Sequence, residues 1–326
     1  MGDGAVGAAW PPDPGPGAVC AFLFAGTGSS GPPDLRRAVA AGGAVEEAVR
    51  GALAEVARGV PAGGPDLERV LVDDPASYGA VAGDAGTAQL AAYAASVAVV
   101  RGMAAAGVVP GFAVGQSFGE IAALVCAGVF TVAEGAAMAA SLVGVLGERG
   151  AGGGMGLVLA DERAAGELVA AAGEPSVVVA CVNAPQATVL AGPQGALERV
   201  LAAAREGGVR AVRLAVPYLA HHPAMAGADE EWYKIIRGFR QRPLRMAVHS
   251  PVRGRAYRDD DDLHRALADC IVAPVRLPAA LRAVHRAGAR VFVEAGGGAA
   301  LCQCARLAIP GARTLAPLEA AAPGGG

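Results

Sequence analysis

Aromatic residues are scarce in this 326-residue chain, 4 % of positions against 53 % hydrophobic overall. Its core therefore cannot rest on large rings and must be assembled from Ala, Val and Leu. Lysine is scarcer still: Lys234 stands alone, and arginine carries the rest of the positive charge. With 17 % charged residues and a net charge of −3, no surplus of cations is present to neutralise a phosphate backbone, so nucleic acid is not an expected partner. The hydrophobic content suffices for a sizeable core, and the 17 % of charged residues argues against disorder. Cysteine is also sparing: Cys20, Cys126, Cys181, Cys270, Cys302 and Cys304. Most lie in apolar runs, as Cys181 does within VVVACVNAP, and read as buried reduced thiols. Cys302 and Cys304 have no second Cys/His pair near them, so no metal site is expected. No secretory signal is expected either, since the visible N-terminus carries Asp3 and prolines rather than a basic region and an apolar one. The apolar stretch from Leu90 to Val109 is interrupted by Arg101 and ended by Pro110, which makes it a buried helix rather than a membrane span. A reduced, cytoplasmic protein without membrane contact is the expectation.

What is present is an alternation of short apolar runs and helical spacing. Residues 1–18 are rich in Gly, Pro and Ala and read as a flexible leader. Val19–Phe24 reads as a strand ending in the turn Gly26–Ser30. Ala38–Arg58 has helical spacing, Pro61–Asp74 is loop-like, and Thr87–Gly107 is a strong helix. Phe112–Val114 reads as a strand, with Gly115–Gly119 and a helix from Glu120 behind it. Strand alternating with helix predicts a mainly parallel sheet covered on both faces.

The Gly-rich stretch 150–156 marks a hinge. Beyond it the pattern runs strand (Met155–Leu159), helix (Glu162–Ala172), strand (Ser176–Val182), strand (Ala187–Ala191), helix (Gly195–Glu206), strand (Val209–Leu214). That is the β-α-β-β-α-β order of a ferredoxin-like unit. The expected organisation is an α/β-hydrolase-like main domain of residues 19–149 and 216–316, with a small ferredoxin-like α+β domain inserted at 150–215. Arg290–Glu294 reads as the last strand of the main domain, and 317–326 as a disordered tail.

Gly115-Gln116-Ser117-Phe118-Gly119 is a G-x-S-x-G sequence between a predicted strand and a predicted helix. That setting is what a nucleophile elbow needs, because small flanking residues allow the sharp turn that exposes a serine oxygen. The helix behind it turns backbone N–H groups toward a developing oxyanion. In a chain with 48 glycines the same five residues can also be a Gly-rich turn holding an ordinary serine. A nucleophilic serine needs a base. His264 and His285 lie in charged helical stretches and read as solvated, and His249 precedes a Ser-Pro turn. His221 and His222 remain, following the strand-like run Val212–Val216; by composition alone they fit a base or a surface loop equally well.

In order along the chain, Phe24–Ser30, Gln89-Leu90-Ala91, Gly115–Glu120, Ala127–Phe130, Asn183-Ala184-Pro185, Ala220–Met225, Cys270–Leu277 and Phe292–Gly297 resemble the signature segments of the malonyl-CoA:acyl-carrier-protein transacylase family. This family includes the acyltransferase domains of polyketide synthases, and the resemblance covers roughly residues 20–316. It implies a cofactor-free acyl transfer in which Ser117 is the nucleophile and His221 the base. The backbone N–H groups of Phe118 and Thr27 would bind the oxyanion, and a backbone carbonyl at Cys270 would orient the imidazole. The substrates implied are acyl-CoA or acyl-phosphopantetheine thioesters, with an acyl carrier protein as partner. The acyl pocket would include Gln116, Leu142, Tyr218, Ala220, Gln89 and Asn183.

Two departures from the family bear on substrate. The arginine that pairs with the carboxylate of a malonyl group maps to Leu142, and Arg149 lies two helical turns further on. Gln116 replaces the family's histidine beside the serine. An apolar Leu142 suits a neutral acyl chain, because nothing replaces a planar bidentate guanidinium for a carboxylate. The expected setting is polyketide or antibiotic biosynthesis. An acyl-carrier hydrolase of the same fold, or an inactive homologue kept for protein contacts, are the other readings open to these residues. The run from Trp232 to Arg258 is basic, and Arg240, Arg242 and Arg245 on it are candidates for docking an acidic carrier protein.

Overall fold

A computed structural model describes residues 10–26, 33–84 and 86–319. The five residues of β1 (Cys20–Phe24) are all buried, which is why this short apolar run forms the centre of a sheet. Parallel partners flank it: β2 (Pro110–Gly115) on one side and β10 (Val291–Glu294) on the other. β11 (Arg313–Leu315) extends the sheet beyond β10, and β7 (Ala247–Ser250) extends it beyond β2, both parallel. The two-residue β8 (Arg255–Ala256) closes that edge antiparallel. The order is therefore β11-β10-β1-β2-β7-β8. The predicted Arg290–Glu294 strand is thus not the last one, because β11 follows it.

Helices cover this sheet by close approach of small residues. The 43–59, 87–105 and 132–149 helices pack on one another. A Cβ added to Gly135 would sit 2.2 Å from the Tyr93 hydroxyl, and that hydroxyl donates to the Val132 carbonyl at 2.7 Å. A chain poor in rings thus seats one of its few tyrosines where glycine leaves room. The Thr87–Ala105 helix has the length and composition of a bilayer span, but most of it is buried inside this layer. The helix Val132–Arg149 starts on a capping box: the Thr131 hydroxyl accepts from Glu134 N–H, and the Glu134 carboxylate accepts from Thr131 N–H. That start fixes where Leu142 falls.

The second sheet is built from β3 (Gly153–Val158), β4 (Val178–Ala184), β5 (Ala187–Pro193) and β6 (Ala211–Arg213) in the order β6-β3-β5-β4, all antiparallel. The helices Glu162–Ala171 and Gln194–Glu206 supply the β-α-β-β-α-β sequence. This sheet is not confined to 150–215. β9 (Val275–Arg276) joins β4 in parallel from much later in the chain, so the segment that follows the Leu263–Asp269 helix ties the two sheets together.

Three local expectations change. The loop-like 61–74 stretch contains a turn of π-helix, Arg69–Asp73, because Val70, Leu71 and Val72 are buried there. Residues 10–18 of the expected leader are not loose at their start: the Trp10 indole N–H donates to the Pro317 carbonyl at 3.1 Å. The same contact, with Leu318 buried, packs the first residues of the expected tail. Residues 1–9 and 320–326 lie outside the described residues.

Candidate active site

The G-x-S-x-G sequence forms the turn between β2 and the helix Gly119–Cys126. Ser117 has φ +55° and His221 φ +54°, and they are the only non-glycine residues with positive φ among those described. Backbone strain of this kind persists only where the surroundings enforce it. Around Ser117 they do: a Cβ on Gly119 would lie 2.1 Å from the Phe24 carbonyl oxygen, and one on Gly115 would lie 2.4 Å from the Glu120 Cα. The turn is also pinned to β1, since Gln116 N–H donates to the Phe24 carbonyl at 2.9 Å.

The two strained residues meet. Ser117 Oγ lies 2.6 Å from His221 Nε2, and the ring's Nδ1 lies 3.1 Å from the Ala273 carbonyl oxygen. A carbonyl can only accept, so Nδ1 carries the proton and Nε2 is left to accept from the serine. Burial lowers the His221 pKa to about 4, against the pull of the carbonyls of Ala273 and Cys270. The orienting oxygen expected at Cys270 is therefore met chiefly at Ala273. The chain turns at the end of the 263–269 helix, with Ala273 N–H still bonded to Asp269, and the Ala273 carbonyl is the one left facing the imidazole. His222 points away: its Nε2 lies 3.0 Å from the Ser176 carbonyl and its Nδ1 accepts from Ala224 N–H. His264 is not solvated as predicted, being buried with Nε2 2.9 Å from the Phe239 carbonyl.

Phe118 N–H, at the start of the helix, has no protein acceptor among the described residues, which leaves it free for an oxyanion. Thr27, the other expected donor, lies outside the described residues.

Ser117 opens on a cavity of about 720 Å³ between the two sheets. No Lys, Arg, Asp or Glu lines it among the described residues. Gln116, Leu142, Asn183, Tyr218 and Ala220 do, as does Cys270. Gln89 does not; its amide reaches the Tyr218 hydroxyl from behind at 3.5 Å. Gln116 Nε2 donates to Asn183 Oδ1 at 2.6 Å, joining the serine turn to the second sheet. Arg149 does not replace the missing cation, because it is 2.6 Å from Glu231 and mostly exposed. Trp232, absent from the expectations, forms part of the wall, with its N–H donated to Ser141. Being one of two tryptophans in a chain that avoids rings was the signal for it.

Beneath the elbow, Glu120 is fully buried. The hydroxyls of Ser250 (2.9 Å) and Tyr257 donate to its two oxygens. Burial raises its pKa to about 7, while Tyr257, Ser250, Cys270 and Arg253 oppose the rise. The cluster links the serine helix, β7 and the start of the loop that holds His221.

The arginines Arg240, Arg242 and Arg245 are elsewhere. β7 runs parallel to β2 with Ala247 opposite Phe112, so Arg245 stands at the N-terminal end of the strands. Ser117 stands at the C-terminal end, roughly 20 Å away at about 3.3 Å per residue. Arg242 is moreover paired with Glu134 at 2.8 Å. Among the described residues no group of three or more His, Cys, Asp or Glu is placed to hold a metal ion.

Residues 45–313 match the family model described as acyl transferase domain. Among solved structures, the chain resembles malonyl-CoA:acyl carrier protein transacylase from Xanthomonas oryzae pv. oryzae at TM-score 0.82 and 28 % identity, over 92 % of this chain and 94 % of that one. It also resembles the acyltransferase domain from the second module of the salinomycin polyketide synthase, at TM-score 0.76 and 26 % identity, covering 92 % of this chain and 68 % of that one. Spectinabilin polyketide synthase system protein NorA′ of Streptomyces orinoci is 35 % identical over 244 residues, which is 74 % of this chain but 6 % of that far longer protein. Two sheets with a serine elbow facing a buried histidine, and a family match over most of the chain, agree: this protein is an enzyme of the acyl transferase domain family.

Proposed function

We propose that the protein takes a neutral acyl group from a CoA or carrier-protein thioester onto Ser117 and passes it to the phosphopantetheine thiol of an acyl carrier protein, in polyketide-type metabolism. The observation that carries this reading is the 2.6 Å contact of Ser117 Oγ with His221 Nε2 at the wall of a cavity that no Lys, Arg, Asp or Glu lines among the described residues. In the first half-reaction Oγ attacks the thioester carbon while Nε2 takes its proton. The oxyanion faces the N–H of Phe118, the C–S bond breaks, and the leaving sulfur receives the proton from Nε2. In the second, the incoming thiol gives its proton to Nε2, sulfur attacks the ester, and the serine oxygen leaves with that proton. The Ala273 carbonyl steadies the imidazolium in both. Polyketide metabolism and a carrier-protein acceptor rest on the similar proteins named above.

Leu142 lines the cavity where the family resemblance puts an arginine, and it is 6 % exposed. A carboxylate brought there would lose its water without gaining a partner, at a cost of several kcal/mol. Intact-mass measurement after mixing with a panel of acyl-CoAs tests the proposal. A stable adduct of a neutral acyl group, discharged by a carrier-protein thiol, is expected. Rapid release of free acid would make the protein a hydrolase, and no adduct with any thioester would remove the enzymatic reading.

A further inference from the structure

The residues that line the cavity differ in exposure. Leu159 and Leu307 are 41 % and 56 % exposed, and Pro185, Gln186 and Gln303 are exposed as well. Leu142, Leu146, Met155 and Trp232 are buried, none more than 6 % exposed. A thioester carrier reaches Ser117 from the exposed part of this lining, and the acyl chain then lies in the buried arm. That arm is apolar and belongs to a cavity of the size that encloses a drug-sized molecule, well beyond a two-carbon group.

Among the polar residues that line the cavity, Gln116 and Asn183 form a bonded pair next to the serine. Two primary amides placed side by side can form a two-bond ring, each donating to the other. Gln116 and Asn183 form only one bond, Nε2 to Oδ1. Gln116 Oε1 and the Asn183 amino group have no other protein partner among the described residues, and both residues line the cavity. The open pair thus offers one acceptor and one donor. Turning both amides over would still leave one of each. A group that both donates and accepts through a single small atom completes the pair, and a hydroxyl does so. A carboxylate has no proton to give Gln116, and an alkyl carbon has neither function.

We infer that the enzyme selects an acyl chain bearing a hydroxyl near the thioester, on C3, ahead of an apolar tail: a medium-chain 3-hydroxyacyl group. The inference rests on the reading of Ser117 as the site loaded with a neutral acyl group. The hydroxyl donates to Gln116 Oε1 and accepts from Asn183 Nδ2, and the tail lies along Leu142 and Leu146. The reaction adds no step to the transfer above, and the hydroxyl remains intact.

The test is pairwise competition for Ser117 among 3-hydroxyoctanoyl-, octanoyl- and malonyl-CoA, read by intact mass. 3-Hydroxyoctanoyl should load about tenfold or more faster than octanoyl, the worth of one to two hydrogen bonds, and both should load ahead of malonyl. Within Gln116→Leu and within Asn183→Leu the ratio of 3-hydroxyoctanoyl to octanoyl should fall to about one; a ratio taken inside each variant is independent of how much activity that variant retains. Equal loading of the two eight-carbon chains by the wild type would overturn the inference and leave the neutral-acyl reading standing. Preferred loading of malonyl would overturn both. A ratio that persists in both variants would place the hydroxyl elsewhere and overturn the role of the pair.

Discussion

Ser117 and His221 share a property that no spacing pattern in the chain displays: each is held at positive φ, and the two strained residues face each other across 2.6 Å. The elbow glycines made the first half of this legible, since G-x-S-x-G between strand and helix implies the strain at the serine. The second half was not legible from the residues. His221 and His222 are adjacent and compositionally alike, and only the fold turns one ring to Oγ and the other to the Ser176 carbonyl. Ser117→Ala should abolish acyl-enzyme formation as read by intact mass. His221→Ala should slow acylation by about 10² to 10⁴-fold, with His222→Ala doing far less; a larger loss at His222 would exchange their roles. Burial holds the His221 pKa near 4, so the imidazole is neutral and able to accept a proton throughout the neutral range. The rate of acylation by a fixed acyl-CoA should be flat between pH 6 and 8 and fall only as pH drops toward 4. An acid limb centred between pH 6 and 7 would contradict this.

The strands and helices that place these residues were mostly visible as runs and periods, because each buries one continuous apolar set. What the runs did not show is how distant elements clasp the site. β9 is two residues long and leaves no pattern, yet it carries the segment behind Ala273 into the second sheet. Glu120 reads in sequence as an ordinary acidic residue in the first turn of a helix; in the fold it is buried under hydroxyls from Ser250 and Tyr257. Its pKa is raised from 4.5 to about 7, so the folded state holds a proton that the unfolded chain releases. The stability this contributes is complete below pH 4.5 and is lost as pH rises through about 7. Glu120→Gln keeps the shape and one acceptor oxygen for the two hydroxyls and removes the titration. Its melting temperature should decline less than that of the wild type between pH 5 and 8. Equal declines would mean that Glu120 is charged in the fold.

Across the whole molecule, the candidate site stands at the C-terminal ends of the parallel strands, where open α/β sheets place their ligands, and the second sheet roofs it. The alternation of strand and helix allowed a parallel sheet and a second, inserted unit to be anticipated, but not which surface lies at which end. The basic run from Trp232 to Arg258 illustrates the difference: its Arg242 is spent on Glu134, Arg253 on Asp269 and Arg255 on Asp261, and Arg245 sits at the far end of the strands. Reversing the charge of Arg240, Arg242 and Arg245 together should leave the KM for a carrier-protein acceptor within about twofold of wild type, as expected of screened charges beyond a Debye length. A selective rise in that KM, with self-acylation unchanged, would restore a docking role.

The central claim is that a cavity lined by no Lys or Arg among the described residues, with Leu142 where its relatives are expected to carry arginine, loads a neutral acyl group on Ser117. Competition labelling with equimolar butyryl-CoA and malonyl-CoA, read by mass spectrometry on the Ser117 peptide, measures it directly. Butyryl should prevail by about 100-fold or more, the equivalent of roughly 2.7 kcal/mol, and Leu142→Arg should narrow or invert that preference. A wild type that loads malonyl as readily as butyryl would contradict the claim.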